Sequence, residues 1–382
     1  MRIFLLTKEF PPYNCDGGIS IYMGSLTKEL RHQGHTVTIV TAIHKKEKHP
    51  LADGIVPVSM PYWKYPLFRY LPFLYDILFA WKAWLVLRKI DADIIETHEW
   101  GFPSLFIEVF RISIPVVVRV HGLYRHILLG NKGAFGLNLW IYDHLELYCM
   151  NMADSLVFPS VYMQKMVLSD YHITNEKQGI YPLGIDTSVF YPQPIKKNVD
   201  FTFIFTGRLV ERKNVLMLLK VFRTILQKRI DIKLILVGEM DPYDAPVYLD
   251  YITKHNLQTK IILKGYITHA MLAEELSGAD VFITLSTYET FGLNLYEAMA
   301  SGLPVIGYED IVPACIEEEK LGLVLSRELS VENISDEVIS YIADRNLLAR
   351  QGKEAALYIK TYNTLEKIVK KEIKLYEAVL SV

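Results

Sequence analysis

The chain lacks most features that mark secreted, metal-stapled or membrane-spanning proteins. Its three cysteines, Cys15, Cys149 and Cys315, are far apart and odd in number, which predicts neither a disulfide framework nor a metal site. No stretch reaches the roughly 18 uncharged apolar residues of a membrane-spanning helix. The apolar run at the N-terminus ends at Lys8, which is too early for a signal peptide. A reducing cytoplasm is therefore the expected compartment.

A charge excess of one sign is also absent from the whole chain. The sequence holds 41 basic and 43 acidic residues, a formal net charge of −2, so nucleic acid is not an expected partner. It is 51% hydrophobic and 22% charged, which is typical of a well-packed globular protein and excludes general disorder. Its 382 residues exceed what one hydrophobic core usually supports, so two domains are expected.

Short apolar runs alternate with longer amphipathic segments through both halves of the chain. The runs that predict strands are residues 2–7, 36–41, 93–98, 116–121 and 155–160, and then 201–207, 233–238, 261–265, 281–286 and 304–308. Runs that are apolar throughout predict strands covered on both faces, hence parallel sheets. The pattern predicts an α/β protein of two doubly wound domains that face a cleft.

The predicted domain boundary lies at a segment with two prolines, residues 191–200, which has the composition of a linker. The N-terminal domain would span 1–190 and the C-terminal domain 191–362. A last helical pattern, about 363–382, is followed by no strand. Doubly wound sheets bind ligands beyond the carboxyl ends of their strands, so the loops there are the candidate sites.

The first such loop leads to a Gly17-Gly18 pair that opens a helix. Glycine lets backbone amides at a helix N-terminus approach a phosphate closely, although a flexible turn explains the pair equally well. The loop is not the G-x-G-x-x-G dinucleotide fingerprint, which disfavours an oxidoreductase.

A second loop follows the strand at 201–207. Arg208 comes at the strand end and Lys213 at the start of the next predicted helix. Two cations placed there would form a clamp for a diphosphate, whereas elsewhere exposed Arg and Lys are usually solvated surface.

The most informative segment is 286–305. A strand is followed by a loop with Glu289, and a helix begins near Gly292 and ends before Gly302. Free amides of Gly292, Leu293 and Asn294 would hold a phosphate, assisted by the helix dipole. Glu297 lies about one and a half turns farther along, so carboxylates flank the amides and can accept paired hydrogen bonds from ribose and a hexose. The alternative makes the glutamates an ordinary loop acid and a helix-dipole residue.

With these residues in place, segment 286–305 resembles the signature of the retaining glycosyltransferases of family 4, including its two glutamates eight positions apart. Gly207-Arg208-Leu209 with Lys213-Asn214 resembles the family's phosphate-binding strand end. Gly17-Gly18 resembles its N-domain glycine loop, and residues 182–186 with Phe190 its interdomain strand exit. The resemblance covers nearly the whole chain in order.

The resemblance implies a GT-B fold, in which the C-terminal helix crosses back to the N-domain. Arg208 and Lys213 would neutralise the donor diphosphate, and Glu297 would bind the ribose. Glu289 would bind the hydroxyls of the transferred sugar, with His121 of the N-domain beside it. The amides that would hold the distal phosphate are those of Phe291, Gly292, Leu293 and Asn294.

The expected reaction moves a hexose-type sugar, with retention, from a nucleotide diphosphate sugar to a glycan, lipid-linked or small-molecule acceptor. No cofactor and no metal are expected, because no Asp-x-Asp cluster follows a strand, and cationic side chains with helix amides can take a metal's place. Two alternatives stay open, a nucleotide-sugar epimerase of the same architecture and a non-catalytic subunit that binds sugar nucleotides.

Two segments depart from the family's pattern. Glu239-Met240-Asp241 follows Gly238 where a glycine-rich turn is usual, which leaves contacts to the base undefined. His98-Glu99-Trp100 after the strand at 93–98 either faces the acceptor or holds a buried Trp. The base, the sugar and the acceptor are not encoded in such motifs.

Residues 62–88 suggest where the enzyme works. They interleave aromatic residues with Lys and Arg, and residues 1–90 hold twelve Lys/Arg against six Asp/Glu. With the nearby Lys45, Lys46 and Lys48, they predict reversible contact with an anionic membrane surface, at the inner face of the membrane. The alternative is that these aromatic residues belong to an ordinary core helix. Pro66 and Pro72 predict, however, that the helix begins only near Phe73, which leaves an aromatic loop at 62–71 that would suit a lipid-linked or membrane-embedded acceptor.

Overall fold

The chain folds into two α/β units, each built on one parallel sheet. The computed structural model describes residues 1–13, 18–44, 52–61, 66–130, 136–195 and 197–381. One unit comprises Met1–Gly184 together with Leu365–Val382, and the other comprises Ile185–Thr364.

In its described residues, the first unit contains a sheet of seven parallel strands. These are β1 (Arg2–Thr7), β2 (Thr36–His44), β3 (Ile55–Met60), β4 (Ile94–His98), β5 (Val116–Arg119), β6 (Ser155–Phe158) and β7 (Gln178–Ile180). Their spatial order is β3-β2-β1-β4-β5-β6-β7, so the order reverses between β1 and β4. The central strands β1, β4 and β5 are buried along nearly their whole length, because helices cover both faces of the sheet.

The helices of the first unit lie between these strands in the sequence. They are α1 (Gly18–His32), α2 (Pro66–Tyr70), α3 (Pro72–Leu87), α4 (Leu105–Val109), α5 (Tyr124–Gly130), α6 (Leu137–Met152) and α7 (Val161–Asp170). Helix α1 shows how they are anchored: Met23, Leu26 and Leu30 recur at helical spacing and are fully buried.

The second unit repeats the architecture, with six parallel strands in the part that the structure describes. These are β8 (Phe201–Thr206), β9 (Ile232–Val237), β10 (Ile261–Gly265), β11 (Val281–Ile283), β12 (Val305–Tyr308) and β13 (Gly322–Leu325). Their spatial order is β10-β9-β8-β11-β12-β13, which again reverses after the first strand of the unit. Both units therefore have the strand order of a Rossmann-like fold, and the ligand site of such a sheet lies at the reversal.

The helices of the second unit are α8 (Val215–Lys228), α9 (Ala245–Lys254), α10 (His269–Gly278), α11 (Leu293–Ala300), α12 (Cys315–Glu318), α13 (Val331–Ala343) and α14 (Arg345–Tyr362), with a 3₁₀ turn at Glu211–Lys213. The last helix, α15 (Leu365–Leu380), packs against α1 of the first unit. The C-terminal helix thus belongs to the N-terminal unit, in keeping with the predicted fold class.

The chain enters the second unit at Ile185, six residues before the predicted boundary at 190/191. The backbone N–H of Ile185 donates to the carbonyl of Asn363 at 2.9 Å, and the side chains of Ile185 and Phe190 are buried in the core of the second unit. The prolines that suggested a linker therefore lie inside the second unit.

Three strands have no counterpart in the sequence prediction: β3, β7 and β13. All three are edge strands. An edge strand has only one neighbour and is less completely covered, so its sequence need not be a long apolar run, and β7 is only three residues long. Residues 66–70 form the short helix α2, where an aromatic loop had been predicted. Among the described residues, no helix is both long and apolar enough to cross a membrane.

Candidate functional site

The strand reversal of the second unit brings two loops together, one after β8 and one after β11. Gly207 follows β8 with φ of +130°, and a Cβ added there would lie 3.9 Å from Cε of Lys213 and 3.8 Å from Nδ2 of Asn294. The loops are also joined by a hydrogen bond of 2.8 Å from the N–H of Thr287 to the carbonyl of Arg212. Residues predicted from two separate segments therefore meet at the edge of the sheet where the carboxyl ends of its strands lie (the sheet edge).

Lys213 ends the 3₁₀ turn before α8 and forms an ion pair with Glu289. Both side chains are buried, and burial lowers the pKa of the Lys213 ammonium although the Glu289 carboxylate opposes that shift. A buried cation held by one carboxylate can exchange part of that contact for a phosphate without leaving its place. The ion pair thus joins Lys213, the proposed partner of the phosphate, to Glu289, the proposed partner of the sugar.

Helix α11 points its N-terminus into the same edge. Gly292 precedes it in the left-handed conformation, with φ of +78°, where a Cβ would clash with Leu295. Among the described residues, no hydrogen-bond acceptor is found for the N–H groups of Gly292, Leu293 or Asn294. The side chain of Asn294 donates to the carbonyl of Thr206 at 2.7 Å, which ties the helix start to the end of β8. This arrangement is suited to an anion.

The ring of Phe291 lies just before this helix start and stacks on Tyr296, with centroids 4.4 Å apart. Because Phe291 is buried, its side chain helps to fix the turn that leads into the helix.

Glu297 lies within α11 and is 8% exposed. No hydrogen bond or ion pair reaches its carboxyl group from the described part of the chain, and burial raises its pKa to about 7. A buried carboxylate without a partner is costly, so its position requires either a proton or a ligand that donates hydrogen bonds.

Arg208 differs from Lys213 in being exposed. Its side chain is 55% exposed and its guanidinium lies 3.5 Å from the carboxylate of Asp241. Gly238, the residue after β9, approaches Gly207 so closely that a Cβ added to Gly238 would lie 2.0 Å from the Gly207 carbonyl oxygen. The segment that departs from the family's pattern thus supplies the carboxylate beside Arg208.

His121 lies in the first unit, two residues beyond the end of β5. Its backbone N–H donates to both carboxylate oxygens of Glu99, each at 2.9 Å. Its Nε2 is buried and has no hydrogen-bond partner among the described residues. Its ring lies 5.5 Å from that of Tyr22 and 6.4 Å from that of His98. Burial, reinforced by the nearby Arg119 charge, lowers the pKa of His121 well below its ordinary value, so the ring is neutral at pH 7.

The structure assigns a place to Glu99, which the sequence left open. Its carboxylate is fully buried and holds the backbone of His121 and Gly122. Trp100 lies beside Tyr124, with ring centroids 5.6 Å apart. The charged Glu96 and Arg119 within the buried strands β4 and β5 are the sequence signal that could have pointed to this region.

Gly18 opens α1, as the sequence predicted, whereas Gly17 lies outside the described residues. The basic residues Lys45, Lys46 and Lys48 also lie outside them. In the part of the chain that the structure describes, no three His, Cys, Asp or Glu side chains are grouped to hold a metal ion.

Two family profiles match the chain in succession. "Glycosyltransferase Family 4" matches residues 16–189, and "Glycosyl transferases group 1" matches residues 190–357. The alpha-monoglucosyldiacylglycerol synthase of Streptococcus pneumoniae is 27% identical over 332 residues, which cover 81% of this chain and 71% of the relative.

Solved structures show the same fold. Sucrose-phosphate synthase from Thermosynechococcus elongatus aligns with a TM-score of 0.81 at 19% identity, covering 100% of this chain and 99% of its own. Anabaena HepE, in complex with UDP and glucose, aligns with a TM-score of 0.73 at 15% identity over 99% of both chains.

Proposed function

Because the chain belongs to the family 4 glycosyltransferases and has their two Rossmann-like units, we propose that it is a retaining hexosyltransferase that uses a nucleotide diphosphate sugar. The observation that carries the proposal is the sheet edge of the second unit, where the Lys213–Glu289 ion pair lies near the start of α11, the helix that also carries the buried Glu297.

The donor diphosphate would bind at the N-terminus of α11, neutralised by Lys213 and Arg208. The backbone N–H groups at the helix start and the two cations together provide the positive charge and the hydrogen bonds that stabilise a bound diphosphate. Glu297 would accept hydrogen bonds from the ribose hydroxyls. Its lack of a partner among the described residues, with a pKa of about 7, supports this role, because vicinal hydroxyls supply the donors that an ionised buried carboxylate lacks.

Glu289 would accept hydrogen bonds from the hydroxyls of the transferred sugar. In the first unit, His121 is the residue that the family resemblance assigns to the sugar, and its buried Nε2 has no hydrogen-bond partner among the described residues. In the transfer itself, the bond from the anomeric carbon to the phosphate oxygen breaks and a bond to the acceptor hydroxyl oxygen forms on the same face. The acceptor's proton passes to the departing phosphate, as the family's mechanism implies. The positive groups at the sheet edge would stabilise the charge that develops on that phosphate.

UDP-glucose is the first donor to test and a diacylglycerol-type lipid the first acceptor. Anabaena HepE is found with UDP and glucose, and the Streptococcus pneumoniae relative is a synthase of monoglucosyldiacylglycerol. Glycan and small-molecule acceptors belong in the same panel.

The decisive experiment is a thermal-shift panel of UDP, GDP, ADP and their sugars, followed by product analysis with the stabilising donor. Ligands that bind only the native state raise its melting temperature. A sugar joined to an acceptor with retained configuration supports the proposal. A changed sugar without any acceptor identifies an epimerase, and binding without turnover of any donor identifies a non-catalytic subunit.

We also propose that the first unit contacts an anionic membrane reversibly. Its described surface exposes Leu67, Tyr70 and Trp81, and the guanidinium of Arg88 lies 5.1 Å from the ring centroid of Trp84. Exposed rings with adjacent cations suit a headgroup layer. Phe79 of the same segment is core, which limits the surface to the outer face of α2 and α3.

Co-flotation with vesicles tests this contact. Binding to anionic but not neutral vesicles, weakened by salt and by replacing Lys45, Lys46 and Lys48, is the expected result. Absence of flotation at low and high salt would leave a soluble acceptor as the better account.

A further inference from the structure

A cluster of charged and phenolic side chains is buried between helix α15 and the sheet of the first unit. Arg119 of β5 donates from Nε to Glu96 of β4 at 2.8 Å, and from Nη2 to Glu372 of α15 at 2.7 Å. The hydroxyl of Tyr376, also on α15, donates to Glu96. Glu96, Arg119, Glu372 and Tyr376 are all fully buried. Buried ion pairs cost desolvation energy and are weak evidence for stability, so the cluster calls for another role.

The cluster reaches His121 through Tyr22 of α1. The Tyr22 hydroxyl donates to the same Glu372 oxygen that Arg119 contacts, at 2.7 Å. The Arg119 guanidinium lies 5.0 Å from the centroid of the Tyr22 ring. The centroids of the Tyr22 and His121 rings are 5.5 Å apart. One carboxylate oxygen of Glu372 therefore holds both Tyr22, whose ring packs on His121, and Arg119, which lies two positions before His121 in the sequence.

We propose that Glu372 is a positioning residue of the transfer reaction: from the C-terminal helix it fixes Tyr22 and the end of β5, and thereby orients the His121 ring. The inference rests on the proposed function, because it requires His121 to act on the sugar. Glu99 fixes the His121 backbone from the β4 side, so the ring itself is the part that Tyr22 must hold.

The test compares Glu372→Leu with Glu372→Gln in the full chain. Leucine removes the acceptor that holds Tyr22 and Arg119, and glutamine keeps an acceptor oxygen. We expect Glu372→Leu to lower kcat by about tenfold or more with less than a twofold change in the affinity for UDP, and Glu372→Gln to regain most of that loss. UDP affinity should change little because Arg208, Lys213 and Glu297, the residues proposed to bind it, lie in the second unit.

A double-mutant cycle shows whether the effect passes through His121. With His121→Ala in place, Glu372→Leu should lower kcat no further. The matched control is Tyr376→Phe, which removes the other anchor of the same helix and should keep kcat close to that of the unmodified enzyme. If Glu372→Leu does not fold, Tyr22→Leu replaces it in the cycle and leaves the Arg119–Glu372 pair intact.

The outcomes separate the two proposals. An equal loss in the His121→Ala background, or a Tyr376→Phe enzyme as slow as Glu372→Leu at the same loss of stability, would overturn the positioning role alone. An unmodified enzyme that transfers no sugar would overturn the proposed function and the positioning role with it. A His121→Ala enzyme with unchanged kcat would overturn the role of His121 in the transfer, and with it the positioning role, but not the proposed function.

Discussion

Replacing Glu297 by glutamine should make the free protein more stable and its donor complex weaker. The carboxyl group is buried and receives no hydrogen bond from the described residues, and burial raises its pKa from 4.5 to about 7. Above pH 7 the folded protein must hold an unpartnered buried charge. Glutamine has nearly the same shape and carries no charge, so it removes that cost.

The size of the effect follows from the pKa difference between folded and unfolded chains. Each pH unit of pKa difference corresponds to about 1.4 kcal/mol, so ionised Glu297 destabilises the folded state by about 3 kcal/mol at pH 8. Because its folded pKa is raised, the penalty grows as pH rises from about 4.5 to about 7 and is constant above that. At pH 5 it amounts to only about 1 kcal/mol.

Denaturant unfolding of the unliganded protein at pH 8 and pH 5 measures this change. The Glu297→Gln protein should gain stability at pH 8 and much less at pH 5. Its affinity for UDP should fall by about 10- to 150-fold, the equivalent of the 1.5–3 kcal/mol of hydrogen bonds to a charged group. Glu108→Gln is the matched control, since burial raises the pKa of Glu108 to about 8 in the first unit. That variant should also gain stability at pH 8 but bind UDP normally. A Glu297→Gln protein that is no more stable at pH 8, or that binds UDP as well as before, would refute the reasoning.

Three further predictions concern the same sheet edge. Lys213→Ala should weaken UDP binding by about tenfold or more in titration calorimetry, and Arg208→Ala should weaken it less because Arg208 is solvated. Lys220→Ala, on the exposed side of α8, is the control. Normal UDP binding by both the Lys213 and the Arg208 variant would contradict the proposed diphosphate clamp. Glu289→Gln should keep or raise UDP affinity, because it releases Lys213, while kcat falls; an equal loss of UDP affinity in the Glu289 and Glu297 variants would contradict their assignment. Affinity for UDP-glucose should fall by about tenfold between pH 8 and pH 6 as Glu297 takes up a proton. This pH dependence should vanish in Glu297→Gln. A pH dependence that persists in that variant would belong to another group.

Local features of the sequence predicted which segments of the second unit meet. The segments at 207–214 and 286–297 each carry their polar residues within a few positions of a strand end. Parallel strands of a doubly wound sheet present those ends on one edge, so the two segments were expected to meet. The interior strands could also be predicted from the sequence, because a strand that is buried on both faces is rich in apolar residues.

Only the tertiary structure could decide which distant side chains meet. Lys213 and Glu289 are 76 positions apart, Glu372 is 253 from Arg119 and 350 from Tyr22, and their pairing depends on strand order and on where α15 docks. The edge strands β3, β7 and β13 were missed for a related reason. An edge strand is defined by its single neighbour rather than by its own composition, and a buried carboxylate such as Glu372 acquires its role from the groups that the fold places around it.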